Sequence, residues 1–142
     1  MKYTVEYYRK DGVSEKEFVD WFTNRFLPRA VPIMRKHNIL QYAIEKPDVR
    51  VGAAFQAEMQ GGGWKVNNCD FVMEYWVRDE KDMKNLAMDP EWALDEDTNN
   101  WLDMSKSTVR ISNDTTTCLL EHGATINGLG QKRRGRATAS FD

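Results

Sequence analysis

The chain has 142 residues, 41% of them hydrophobic and 11% aromatic, with a formal net charge of −2; that is enough apolar material for one domain with its own core and too little length for two. No apolar run approaches the ~20 residues of a membrane-spanning helix, and the opening Met1-Lys2-Tyr3-Thr4 lacks the apolar stretch of a signal peptide, so no membrane partner and a cytoplasmic location are expected. Cys69 and Cys118 are too few for a disulfide framework and lack metal-site spacing; both are expected as buried thiols.

Tyr3 to Tyr8 is rich in β-branched and aromatic residues and predicts a first strand, closed by the turn signal Asp11-Gly12. Ser14 followed three residues later by Glu17 is a capping box, so a helix is expected to start at Ser14. Phe18, Phe22 and Phe26, with Trp21 beside them, place an aromatic stripe on one face of that helix. Pro28 and Pro32 each remove a backbone donor and are expected to kink or end it, leaving 28–36 as a distorted second segment.

Leu40 to Glu45 alternates and predicts a second strand, ended by Pro47-Asp48. The stretch 50–68, with three consecutive glycines at 61–63 followed by Trp64, reads as a flexible loop or open hairpin that covers a site. Phe71 to Val77 is the strongest strand: Phe71, Met73, Tyr75 and Val77 face one way, Val72, Glu74 and Trp76 the other. Asp79 to Met88 predicts a helix with acidic residues at its start, closed by Asp89-Pro90-Glu91-Trp92. A further helical turn is expected at 101–105, and strands at 109–111 and 115–121. The order is βαββαβ, the ferredoxin-like α+β arrangement of one antiparallel sheet with both helices on one face.

After about residue 122 the composition changes. Lys132, Arg133, Arg134 and Arg136 crowd among Gly128, Gly130 and Gly135, so 1–122 is read as the domain and 123–142 as a basic, glycine-containing tail. One short basic cluster on an acidic body reads as a solvated terminus, and no nucleic-acid partner is expected.

A sheet with helices on one side leaves its other side to be covered. If the alternation holds, Thr4, Glu6 and Tyr8 share that face with Val72, Glu74 and Trp76, a mixture too aromatic for open solvent and too polar for a dry core. A second copy stacked sheet to sheet would enclose a cavity lined by aromatic rings and carboxylates, making the protein a homodimer; the alternative is a solvent-facing sheet in a monomer.

The run Tyr7-Tyr8-Arg9-Lys10-Asp11-Gly12-Val13-Ser14-Glu15-Lys16-Glu17-Phe18, the strand from Asp70 to Trp76 and the turn Asp89-Pro90-Glu91-Trp92 stand in the order found in the EthD family, which this chain resembles over about 3–121. The resemblance implies a dimeric α+β barrel and, by what is known of the group, tailoring enzymes of fungal polyketide metabolism such as decarboxylases, dehydratases and cyclases. It also marks departures: relatives often carry one histidine where Phe26 stands here, ahead of Pro28, and another near Trp92. Both positions hold aromatics, so the relatives' proton transfer does not carry over directly.

Among the residues left for chemistry, Glu74 is the preferred candidate. A carboxylate between Val72 and Trp76 on a cavity face would be desolvated into an acid or base; alternatively it pairs with an Arg or Lys across the interface. Tyr8 can donate a hydrogen bond to a carbonyl or enolate oxygen. His122 follows the last predicted strand and either closes one end of the barrel or lies on the surface before Gly123. His37 reads as an exposed residue stabilising a helix C-terminus. Substrate walls are assigned to Trp76, Phe26, Phe22, Trp92, Glu6, Val72 and Trp64. No dinucleotide, P-loop, metal or nucleophile-elbow motif occurs, and no cofactor is expected.

Three functions follow. The first is a cofactor-independent lyase, a dehydratase, decarboxylase or cyclase, acting on a hydrophobic polyketide-like intermediate, with rate gained by holding a flexible substrate in one shape. The second is a small-molecule carrier with the same cavity. The third is a cofactor-free oxygenase.

Overall fold

The computed structural model describes residues 1–93, 96–113, 120–121 and 124–125. Four strands, β1 (Lys2–Tyr7), β2 (Gln41–Glu45), β3 (Phe71–Trp76) and β4 (Thr108–Ser112), form one antiparallel sheet in the order β2-β3-β1-β4. This is the ferredoxin-like order. Register places Thr4 opposite Glu74, Glu6 opposite Val72 and Lys2 opposite Trp76 on one face, as the alternation predicts. The other face carries Tyr3, Tyr7, Phe71, Met73 and Tyr75, all buried beneath the helices.

The helical layer begins as its cap dictates. Ser14 Oγ accepts from the Glu17 N–H at 3.2 Å while Glu17 returns a bond to the Ser14 N–H at 3.0 Å, and α1 runs Glu15–Trp21. The prolines do not end the helix, and the distortion lies ahead of them. The helix passes through a π-turn at Phe22–Phe26 and continues as α2, Leu27–Lys36. Pro28 falls in the first turn of α2, where the Leu27 N–H already reaches back to the Phe22 carbonyl, so its missing donor costs little. The wider turn also keeps the aromatic stripe in line. Phe18 stacks on Phe71 with ring centroids 5.1 Å apart, Phe22 on Phe71 at 5.8 Å and Phe26 on Phe22 at 5.2 Å, riveting helix to sheet.

The segment expected as a loop contains a helix, α3 (Val49–Glu58), capped by Asp48, whose carboxylate accepts from the Val51 N–H at 2.9 Å. The glycines lie beyond it, Gly61 and Gly63 at positive φ. The irregular segment that follows turns back on α3 through Gln56, which accepts from the Val66 N–H and donates to the Trp64 carbonyl. Further helices are α4 (Glu80–Met88), α5 (Pro90–Ala93) and α6 (Glu96–Trp101), the last beginning earlier than the turn expected at 101–105. Two short strands, Leu120–Glu121 and Ala124–Thr125, pair antiparallel. His122, Cys118 and the basic residues of the expected tail lie outside the described residues. Among those described, no helix is long and apolar enough to cross a membrane, and Cys69 is buried as expected, its thiol pushed up by burial.

Asp89 locks α2 to α5. Its buried carboxylate accepts from Lys36 Nζ at 2.8 Å, shares a 2.6 Å hydrogen bond with His37 Nε2, and accepts from the Glu91 N–H at 2.8 Å. His37 is therefore half-buried and tied down, where exposure was expected. The Lys36 and His37 bonds hold the Asp89 carboxyl well below the usual carboxylate range. Because the folded value is depressed, the clamp's contribution is complete above the unfolded value near 3.8 and drains away as pH falls below it. Asp89→Asn is expected to lower Tm at pH 7 and to flatten the loss of Tm between about pH 4 and pH 2, followed by circular dichroism. An unchanged acid slope would place that sensitivity elsewhere.

Candidate functional site

Three elements meet over the C-terminal end of β1. Tyr7 closes the strand on the helix side, Phe26 ends the π-turn, and Trp92 on α5 meets Phe26 edge-on with ring centroids 6.0 Å apart. Arg29 on α2 lies against the Phe26 ring at 5.9 Å and donates to the Glu91 carbonyl at 2.9 Å, tying α2 to α5. Between them opens a cavity of about 190 Å³, closed on its far wall by Thr98 and Asn99 of α6 and by Leu102 and Met104.

The α6 wall is held by Asp97, which accepts from the indole N–H of Trp21 at 2.8 Å, from Trp101 at 3.3 Å and from Arg25 at 2.6 Å. Trp21 and Trp101 stack at 5.7 Å. Beneath, the segment after α6 adds to the end of β1: the Asp103 N–H donates to the Tyr8 carbonyl and the Lys10 N–H to the Trp101 carbonyl, both at 2.8 Å. Tyr7 therefore lines a half-open space in which Phe26, Trp92, Leu102 and Met104 supply apolar walls and Arg29, Thr98 and Asn99 supply polar groups, the composition of a small-molecule site. Larger hollows of about 410 Å³ near Tyr8 are polar and shallow, lined by residues such as Arg9, Asp70 and Lys106 or Lys65 and Asn67. Burial pushes the Tyr7 phenol above its ordinary value, with contact from Tyr75 opposing it, so at neutral pH the group is a protonated hydrogen-bond donor.

The residues singled out in the sequence divide among several places. Phe26 and Trp92 line the cavity and Phe22 packs directly behind Phe26. Glu74 lies on the helix-free face, bonded to Lys2 Nζ at 2.9 Å, an ion pair made within one chain. Trp76, beneath the Lys2 ammonium at 5.6 Å, and Val72 share that face. Glu6 accepts from Asn67 at 2.6 Å and Thr108 at 2.9 Å on the same side. Tyr8 donates to Asn67 Oδ1 at 2.9 Å at the sheet's end. Trp64 stands exposed on the α3 arm, edge-on to Phe55 at 6.5 Å. None of these last six lines the cavity beside Tyr7.

Tyr7, Arg29, Thr98 and Asn99 were not among the expected site residues. Tyr7 had a signal: it ends the apolar alternation Tyr3-Val5-Tyr7, where a tyrosine brings a hydroxyl to the rim of the core.

The EthD domain family matches residues 10–105 of the chain. The chain is 46% identical over 130 residues to dehydratase iacD of Pestalotiopsis fici, spanning 89% of this chain and 93% of that protein. It is 27% identical over 95 residues to an oxygenase-named protein of Aspergillus terreus, covering 66% of this chain and 59% of that one. The crystal structure of HapK from Hahella chejuensis superposes with a TM-score of 0.53 over 83% of this chain and 98% of that chain; at 8% identity the likeness is one of fold. With the family matched across more than half its length and a relative aligned nearly end to end, the chain belongs to the EthD domain family.

Proposed function

We propose that the protein is a dehydratase that removes water from a hydrophobic, polyketide-like hydroxy-carbonyl intermediate as a tailoring step in secondary metabolism, and that the cavity over Tyr7 is where it does so. The observation that carries this reading is the 46% identity to a dehydratase over 93% of that protein's length. The cavity suits the chemistry. Elimination from a β-hydroxy carbonyl breaks the α C–H and β C–O bonds and forms a C=C bond, with charge gathering on the carbonyl oxygen as an enolate. Overall, one water leaves and the substrate is neither oxidised nor reduced, so acid–base groups suffice. A neutral phenol aimed at that oxygen stabilises the charge most where it is greatest; Tyr7 is the group suited to it. Phe26 and Trp92 grip a ring, and Thr98 and Asn99 offer hydrogen bonds to hydroxyls on the opposite wall. Since about 150 Å³ holds a benzene ring, a cavity of this size seats one ring and leaves a longer substrate projecting from its open side.

The test is mass spectrometry of hydroxy-carbonyl polyketide intermediates incubated with purified protein, with loss of one water expected. Binding without any mass change would favour a carrier, and incorporation of oxygen from O₂ an oxygenase.

The same reading extends to assembly: the helix-free face, with its Lys2–Glu74 pair, buried Thr4 and Trp76, is where a second copy would stack. Light scattering at micromolar concentration is expected to give about twice the 16.5 kDa chain mass; a monomer throughout that range would remove the shared face.

A further inference from the structure

Behind Tyr7 the layer between sheet and helices contains three more phenols, Tyr3 of β1 and, standing together, Tyr75 and Tyr42. Tyr75 on β3 is 1% exposed, and Tyr42 on β2 stands beside it in register with ring centroids 4.9 Å apart. The Tyr42 hydroxyl has a partner, donating to Met73 Sδ at 3.0 Å. The Tyr75 oxygen does not. It is fully buried, within reach of the Tyr7 and Tyr42 hydroxyls, yet makes no hydrogen bond of ordinary geometry. A buried hydroxyl left in that state is unfavourable, and a phenylalanine would fill the same space without the penalty. Packing therefore does not account for the oxygen, and Tyr7, which alone of the four lines the cavity, is the neighbour through which it can act.

We infer that Tyr75 is the positioning residue for Tyr7: its buried hydroxyl donates to the Tyr7 oxygen while Tyr7 donates to an oxygen of the bound substrate. The inference rests on the dehydratase reading of the cavity and names the group it selects, a ring-sized enol, enolate or phenol oxygen. A hydroxyl has one proton to give and two lone pairs to accept with. When Tyr7 turns its proton to the substrate, its lone pairs are free for the Tyr75 proton, and each bond polarises the other. Both protons stay on their own oxygens; Tyr7 meets the charge on the substrate and the Tyr75 bond strengthens Tyr7 as a donor. The ordering of acidities agrees. Burial first, then the neighbouring Tyr7 and Tyr42, push Tyr75 well above the usual phenol value, so it is held as the donor, and its contact draws Tyr7 the other way.

Phenols of graded acidity are the probe, since each fits the cavity and its ionised form imitates an enolate. Calorimetric titration of phenol, 4-cyanophenol and 4-nitrophenol into the wild-type protein is expected to give affinity that rises with acidity. Tyr7→Phe should abolish that dependence. Tyr75→Phe removes only an unpaired atom and should fold; it should bind unsubstituted phenol as the wild type does, while losing about 3–10-fold of the extra affinity for 4-nitrophenol. A wild-type dependence in Tyr75→Phe, or an equal loss for all three phenols as a merely structural role would give, overturns the inference and leaves the cavity reading standing. No binding by the wild type, or no effect of Tyr7→Phe, overturns both. Introducing 3-fluorotyrosine at position 75, nearly the same size and a stronger donor, gives a second measurement that does not depend on Tyr75→Phe folding. A steeper dependence supports the inference, and an unchanged one overturns it.

Discussion

Tyr7→Phe is expected to leave the fold intact and to lower turnover of the dehydration substrate by about 10²–10³-fold, the usual cost of deleting one donor aimed at a developing oxyanion. The ring is needed for packing and the variant keeps it: Tyr7 is 9% exposed and sits among the core aromatics, so only its hydroxyl is lost. The loss should fall on kcat with little change in KM, because the enolate charge exists only beyond the ground state. Steady-state kinetics on the purified variant, with its melting curve as a control, measures both. Glu74→Gln is the informative comparison. Glu74 is bonded to Lys2 away from this cavity, so its replacement should change turnover by no more than a few-fold. If instead Glu74→Gln loses activity while Tyr7→Phe keeps it, the chemistry belongs to the helix-free face, in a space shared between two copies.

The fold was legible where short-range chemistry determines structure. The Ser14–Glu17 capping box starts the helix where the sequence places it, and the strict alternation from Phe71 to Val77 fixes which side of β3 meets the helices. Two misreadings share one cause, a strong punctuation residue given more weight than its position. Three glycines at 61–63 drew the whole of 50–68 into a loop, although Asp48 after Pro47 is an N-cap and Ala53, Ala54 and Ala57 are good helix formers. Even Gly52, within that helix, has a packing reason: a Cβ there would lie 3.1 Å from Val66 Cγ1. Pro28 reads as a kink or an end because the π-turn that places it in a first turn leaves no pattern in the sequence.

The cavity was legible only through Phe26 and Trp92, the positions at which the family resemblance drew attention to missing histidines. Tyr7, Arg29, Thr98 and Asn99 come from three elements as much as 92 residues apart in the chain and are united only by the way α2, α5 and α6 close over β1. Alternation puts Tyr7 on the side of β1 opposite Thr4, Glu6 and Tyr8, which is correct for its ring and silent about its hydroxyl.

The packing that unites them rests on Phe18, and Phe18→Ala is expected to have the largest effect on stability. Phe18 is 0% exposed and its ring meets Phe71 of the sheet at 5.1 Å, Trp21 at 5.7 Å and Phe22 at 6.4 Å. Removing it deletes a buried aromatic and leaves a void where α1, the π-turn and β3 meet, at a cost of about 3–5 kcal/mol. Against a total of about 5–15 kcal/mol for a domain, that is a large share, and urea unfolding should register it as a lower midpoint with little change in slope. The consequence reaches the cavity, because Phe18 holds the helix that carries Phe26 against the sheet that carries Tyr7. Binding of a ring-sized probe should therefore weaken in Phe18→Ala even under conditions where it remains folded. Phe55→Ala provides the contrast: Phe55 is 43% exposed on α3 and meets Trp64 on the same arm, so its loss should cost about 1 kcal/mol or less and leave probe binding unchanged. Equal losses in the two variants would mean that the arm is as firmly built into the core as the aromatic stripe, and that the cavity does not depend on the stripe as argued.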